Sequence, residues 1–264
     1  MKDKVVVITG ASKGIGAELA RQLAERGAKL VLAARNAGDL ETVAEYCKKR
    51  GAQVITVRAD VGVERDCAAI MSGAALAFGG IDVLVNNAGA TMWARFEDIQ
   101  DLSILERIMR VNYMGAVYCT AQALPYLRQS GGVLVGVSSL AGRTGVPTRT
   151  GYSASKHAMT GFFDSLRIEL EGSGVAVTMI YPGFVSTGIR ENATGPDGKP
   201  IAVSPVQEGQ VMGVEECARR IVQAIERRER EVVMTARGKI GLWLKLLAPS
   251  LVDRIAKRAI EKGR

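Results

Sequence analysis

Histidine is almost missing from this chain: His157 is the single copy in 264 residues. The four cysteines, Cys47, Cys67, Cys119 and Cys217, are scattered, with no Cys-x-x-Cys and no Cys/His cluster. That scarcity argues against a metal site and fits reduced thiols in a cytoplasmic protein. Aromatic residues make up 5% of the chain and are not interleaved with the basic ones, so the net charge of +8 does not point to a nucleic-acid stacking platform. The charge suits anionic partners of other kinds: a phosphorylated cofactor, an acidic carrier protein or a membrane surface. No apolar run is long enough to span a bilayer. Met1-Lys2-Asp3-Lys4 passes straight into Val5-Val6-Val7-Ile8, which predicts a chain without a signal peptide. Repeats and low-complexity segments are lacking as well.

What is present is a regular alternation. Strand-like runs cover 4–9, Lys29 to Ala34, Gln53 to Arg58, Ile81 to Val85, Gly132 to Val137, Val175 to Tyr181 and Glu231 to Met234. Helical patterns lie between them, among them 38–50, a long stretch over 101–128, one ending near Glu171, and 214–228. Such alternation predicts an α/β fold of the doubly wound kind, a parallel sheet of seven strands with helices on both faces. The strand ends would then gather Gly10, Arg35, Asp60, Asn86, Ser139 and Pro182 on one sheet edge.

Thr9-Gly10-Ala11-Ser12-Lys13-Gly14-Ile15-Gly16 joins the first strand to the first helix. Its glycines are not spaced Gly-x-Gly-x-x-Gly, but the logic is shared: a tight turn, and backbone free to approach a pyrophosphate at a helix N-terminus. At the end of the second strand, where a carboxylate would bind an adenosine ribose, Arg35 stands instead. Lys13 can approach the same place. Two cations and no carboxylate predict a 2′-phosphate, hence NADP(H) rather than NAD(H). Asp60 could meet the adenine or cap the helix starting near Val63. Asn86-Asn87-Ala88-Gly89 could tie strand ends beside the cofactor or form a plain turn. Asn112, polar among apolar neighbours and followed by Gly115, suggests a kink or a buried hydrogen-bonding role.

The fifth strand ends in Ser138-Ser139, and Tyr152 and Lys156 follow four residues apart. On a helix that spacing puts both side chains on one face. A phenol titrates near 10, and a fixed ammonium beside it lowers that value, so the pair can exchange protons near neutrality. His157 points away from that face.

Together these runs resemble the short-chain dehydrogenase/reductase family over roughly residues 4–235. The glycine turn resembles the family's cofactor turn, and Asn86 to Gly89 its second motif. Asn112, Ser139, Tyr152 and Lys156 resemble its catalytic tetrad, with Ser139 preferred to Ser138 by its spacing to Tyr152. Pro182-Gly183 and Thr187 resemble its nicotinamide-side loop. The resemblance implies a single-domain Rossmann fold over 1–235. It makes Tyr152 the proton donor to a carbonyl and Ser139 the group that polarises that carbonyl. Lys156 tunes Tyr152 and holds the nicotinamide ribose, and Asn112 helps hold a relay water. It further implies cofactor contacts from Gly10, Ser12, Lys13, Gly14, Ile15, Gly16, Arg35, Asp60, Val61, Asn87, Ala88, Gly89, Tyr152, Lys156, Pro182, Gly183, Val185 and Thr187. It implies a homodimer or homotetramer formed through helices 101–128 and 151–171.

Residues 188–213, rich in Gly and Pro, are expected to be a substrate lid. Beyond 235, residues 236–264 form a basic amphipathic helical extension carrying Trp243 and several leucines. Its apolar side is expected to dock on its own domain or another subunit, in preference to a membrane interface. The lid and tail resemble, more loosely, the lipid- and steroid-handling reductases grouped with dehydrogenase/reductase member 7B. The leading expectation is therefore an NADPH-dependent carbonyl reductase acting on an apolar, lipid- or steroid-like ketone. A 3-oxoacyl-carrier-protein reductase is the alternative, and a non-catalytic NADP(H)-sensing regulator is the reading from another class.

Overall fold

The computed structural model describes residues 1–188, 192–202 and 211–261. Seven parallel strands run in the order β3-β2-β1-β4-β5-β6-β7. They are β1 (Val5–Thr9), β2 (Lys29–Ala34), β3 (Val54–Arg58), β4 (Val83–Asn86), β5 (Val133–Val137), β6 (Ala176–Tyr181) and β7 (Glu231–Val233). Wherever the sequence read a strand, one lies within a residue or two of that run.

Parallel strands covered on both faces need apolar residues at every position, and β1, β4 and β5 are buried throughout. Successive side chains point to opposite faces and split the core in two. Val6, Ile8, Leu30, Leu32, Val83 and Val85 face one layer, packed by α1 (Gly14–Ala24), α2 (Ala37–Lys48) and α7 (Val214–Arg227). Val7, Val31, Leu84 and Leu134 face the other, packed by α3 (Glu64–Phe78), α5 (Gly115–Ser130) and α6 (Thr150–Glu169). The four cysteines sit unbonded in these layers. Burial pushes the Cys47 thiol up to about 11 and the Cys217 thiol up to about 12.

The stretch 101–128 is not one helix. α4 (Ser103–Met109) passes through a π-helical turn over Arg110–Met114 into α5. Asn112 lies at that turn, so the expected irregularity is a widened turn within a continuous helical rod.

The strand order reverses between β1 and β4, the position at which open α/β sheets form a crevice. Asn87 fastens the two strand ends there. Its Nδ2 donates to the carbonyls of Thr9 at 2.9 Å and Gly10 at 3.2 Å. Thr9 Oγ1 in turn accepts from the amides of Asn87 and Ala88, both at 3.1 Å. The crossing is so close that a Cβ on Gly16 would stand 2.3 Å from Gly10 O.

Within the expected lid, Thr194 bridges Met92 and Pro200, and Ala193 is fully buried. Of the expected lid, 189–191 and 203–210 lie outside the described residues. The C-terminal extension forms α8 (Ala236–Leu247) and α9 (Pro249–Glu261). Leu242 packs against the second core layer and Val252 is buried, while Trp243 is 73% exposed and Leu247 86% in the single chain. Among the described residues, no helix is long and apolar enough to cross a membrane.

Removing the Asn87 clamp should loosen the β1–β4 junction. Asn87→Ala is expected to cost about 1–3 kcal/mol, the price of unpaired buried backbone groups. A thermal midpoint unchanged by the substitution would mean that the junction does not depend on the carboxamide.

Candidate active site

A cleft of about 470 Å³ opens along the carboxyl ends of the strands. Its lining includes Gly10, Ser12, Lys13, Gly14 and Ile15 from the first turn, and Arg35 after β2. Asp60 and Val61 follow β3, while Asn87, Ala88 and Gly89 follow β4. Ser139, Tyr152, Lys156, Pro182, Gly183, Val185 and Thr187 complete the far wall. Two expected residues do not line it. Gly16 lies behind the turn, where its missing side chain lets α1 cross β1. Asn112 is buried one layer deeper, at 1% exposure.

The glycine turn suits a phosphate. Gly10 and Gly14 have φ of 65° and 55°, values that favour glycine. Lys13, at the start of α1, gives that helix no side-chain cap, so its first turn keeps the amide donors that anions seek.

The adenosine end differs from expectation. A carboxylate is present after all: Asp39, in the first turn of α2, lines the cleft and pairs with Lys13 at 2.9 Å. It was missed because it lies a helical turn beyond the strand end, placed there when Asn36 caps α2 by accepting from the Asp39 amide at 3.2 Å. Arg35 is exposed at the same edge. Asp60 does not cap α3. Its Oδ1 takes the Gly62 amide at 2.9 Å, and Asp66 accepts the Asp60 amide at 3.0 Å.

At the other end, α6 presents Tyr152 and Lys156 on one face. Lys156 is 4% exposed, and its Nζ donates to the Val137 carbonyl at 2.8 Å, at the end of β5. Burial is the largest influence on Tyr152 and pushes its phenol up. The charges of Lys156 and Arg149, with hydrogen bonds from Ser139 and Arg149, outweigh it and bring the phenol below its ordinary value. Burial likewise pulls Lys156 down, and nearby Arg149 adds to that, against the upward pull of Tyr152.

The two serines separate cleanly. Ser139 helps draw the Tyr152 phenol down and accepts the Ala141 amide at 3.2 Å. Ser138 Oγ is buried and donates to the Lys156 carbonyl at 3.3 Å. Asn112 braces the wall opposite. Its Oδ1 accepts from Ala90 N at 2.7 Å, and its Nδ2 donates to Ala90 O at 2.9 Å and to Ser155 Oγ at 2.8 Å. Those bonds join β4's exit loop to α6 through the π turn. Arg149 is the functional-looking residue that the sequence did not disclose: nothing local separates it from Arg143 in the same loop, and its burial arises from packing against residues 91–94. His157 is exposed, its Nδ1 2.9 Å from the Ser153 carbonyl. Among the described residues no group of three or more His, Cys, Asp or Glu is placed to hold a metal.

The sequence model of the short chain dehydrogenase family matches residues 4–197. The chain is 40% identical over 260 residues to 11-beta-hydroxysteroid dehydrogenase 1A of Arabidopsis thaliana, covering 95% of this chain and 73% of that one. It is 37% identical over 258 residues to dehydrogenase/reductase SDR family protein 7-like of Dictyostelium discoideum, covering 96% and 80%. With dehydrogenase/reductase SDR family member 7B of Bos taurus the identity is 35% over 272 residues, covering 100% and 83%. Among solved structures, a short chain dehydrogenase/reductase from Burkholderia phymatum in complex with NAD superimposes with a TM-score of 0.85, at 28% identity and 95% coverage of both chains. An alcohol dehydrogenase from the archaeon Thermococcus sibiricus, complexed with 5-hydroxy-NADP, gives 0.74 at 26% identity, covering 88% of this chain and 95% of that one.

The divergence of the two serines is directly testable. Ser139→Ala should lower oxidoreductase turnover by about 10²-fold, the usual cost of one preorganised donor. Ser138→Ala should leave turnover within a few-fold. The reverse ranking in steady-state kinetics would reassign the hydroxyl.

Proposed function

The chain belongs to the short-chain dehydrogenase/reductase family, and on that premise we propose that it is an NADPH-dependent oxidoreductase interconverting a ketone and its secondary alcohol on an apolar, lipid- or steroid-like substrate. The observation that carries the proposal is Tyr152, lining one cleft with Ser139 and with the buried Lys156 ammonium beside it, at the far end from the glycine turn.

A nicotinamide dinucleotide bound along that cleft supplies or accepts the hydride. The protein's own work is positional and electrostatic. Ser139 donates to the carbonyl oxygen and fixes it beside Tyr152. Tyr152 Oη passes its proton to that oxygen during reduction and takes one back during oxidation. Lys156 stabilises the phenolate left behind. Asn112 keeps Ala90 and Ser155 in register, so the wall facing the nicotinamide end does not move. Gly10, Gly14 and the first turn of α1 hold the pyrophosphate. Val185 and Thr187 meet the carboxamide side.

NADPH is favoured by Arg35 and Lys13 at the adenosine edge. A 2′-phosphate there takes Lys13 from Asp39, an exchange that costs little because an ion pair this exposed contributes ~1 kcal/mol or less. An apolar substrate is supported by Phe184, which lines the cleft with Tyr152, and by the relatives named for hydroxysteroids.

Two measurements test the proposal. Titration with NADPH and with NADH should show a preference for NADPH that Arg35→Asp removes. Equal affinity, or a preference for NADH, would remove the 2′-phosphate reading. NADPH consumption should be accelerated by a steroid ketone or a long-chain ketone and not by small polar ketones. Turnover confined to carrier-bound 3-oxoacyl thioesters would reassign the substrate class.

A further inference from the structure

The loop between β5 and α6 brings a residue to the reaction end of the cleft that lies outside the tetrad. Arg149 is 7% exposed, a rare state for arginine. Its guanidinium carbon lies 4.2 Å from the Tyr152 ring centre, 5.6 Å from Trp93 and 5.9 Å from Phe184. Nη2 donates to Thr91 Oγ1, which holds the guanidinium against the Tyr152 ring. With Tyr152 and Ser139 it lines the cleft. The loop is locked where this happens: Thr148 takes a φ of 66°, and its carbonyl accepts the Ala94 amide at 2.9 Å.

We propose that Arg149 is a positioning residue for Tyr152, a second fixed cation packed against the phenol ring that stabilises negative charge on its oxygen during proton transfer. The proposal rests on the reading of Tyr152 as the acid–base group. In reduction the phenol proton leaves Tyr152 Oη for the substrate oxygen, and the O–H bond it breaks becomes a phenolate lone pair. Arg149 keeps its own protons throughout, since guanidinium does not titrate in this range. Its planar guanidinium donates to Thr91 while lying against the Tyr152 ring, which a lysine could not reproduce with fixed geometry. Out of water, the field of such a cation is weakly screened.

The groups facing Tyr152 from each neighbouring element make the assignment specific. Lys156 lies on its own helix and Ser139 follows β5. α4 offers apolar Ile104 and Ile108, while Glu106 and Arg107 on the same helix are exposed. The cleft carboxylates Asp39 and Asp60 follow β2 and β3, on the other side of the sheet order. Among the described residues, two cations and no carboxylate act on the phenol, and both push it towards phenolate, against burial.

The test is a pH titration of the full chain carrying tyrosine labelled with ¹³C at Cζ, read by NMR, with the Tyr152 signal identified by its loss in Tyr152→Phe. Arg149→Gln should raise the Tyr152 pKa by about one unit, the size of shift that a neighbouring charge produces. Arg149→Lys should restore part of the difference. If Arg149→Gln does not fold, Thr91→Val, which removes the guanidinium's anchor, should raise the pKa in the same direction by less. An unchanged Tyr152 titration in folded Arg149→Gln, or in Thr91→Val where that variant must serve, overturns the proposal. The titration needs no turnover. A chain that shows the shift but reduces no carbonyl would sink the functional reading and leave the electrostatic one standing.

Discussion

A buried ammonium is the constraint that the rest of this structure answers to. Withdrawing an ammonium from water costs several kcal/mol, and Lys156 is 4% exposed. The compensation is specific: the Val137 carbonyl accepts from Nζ at 2.8 Å, and the neighbouring phenol of Tyr152 gains by carrying negative charge. Lys156 is thereby pulled below its ordinary value by burial, while Tyr152 is drawn below its own against burial. The charged form of each group makes the charged form of the other cheaper to bury. That mutual dependence requires α6 to start where it does, with β5 ending beneath it.

The sheet supplies this alignment. β5 is buried on both faces and cannot slide without moving Val133 and Val135 into the layer that holds Leu134. Its last carbonyl therefore has a fixed height relative to the other strand ends. The same registration places the glycine turn after β1 and the Asn87 clamp after β4. Asn112 then ties β4's exit loop to α6 through a π-helical turn, a feature often found at functional sites. The cleft is the consequence of strand ends held level, with one wall built for phosphate and the other for proton transfer.

Much of this was legible in the sequence, because the signals were local. Apolar runs of five or six residues between helical patterns gave the strands. Fixed spacings such as Tyr152 to Lys156 marked one helix face. What was not legible depended on packing between distant segments. Asp39 escaped notice because its approach to the cleft depends on where α2 begins. Arg149 looked like any loop arginine until residues 91–94 closed over it. The tail's apolar residues suggested a docked helix, and in the single chain Leu242 packs on the core while Trp243 and Leu247 face outward. The choice between Ser138 and Ser139 rested on resemblance in the sequence; in the fold Ser138 Oγ donates to the Lys156 carbonyl, while Ser139 Oγ accepts the Ala141 amide.

The central claim is that Tyr152 moves the proton while the cleft holds the dinucleotide independently of it. The most direct measurement compares Tyr152→Phe with the unaltered chain in two assays, NADPH binding by fluorescence titration and NADPH consumption with an apolar ketone. The account requires binding to stay within a few-fold while turnover falls by about 10²–10⁴, the usual worth of a positioned proton donor. Turnover that survives the loss of the hydroxyl would contradict it.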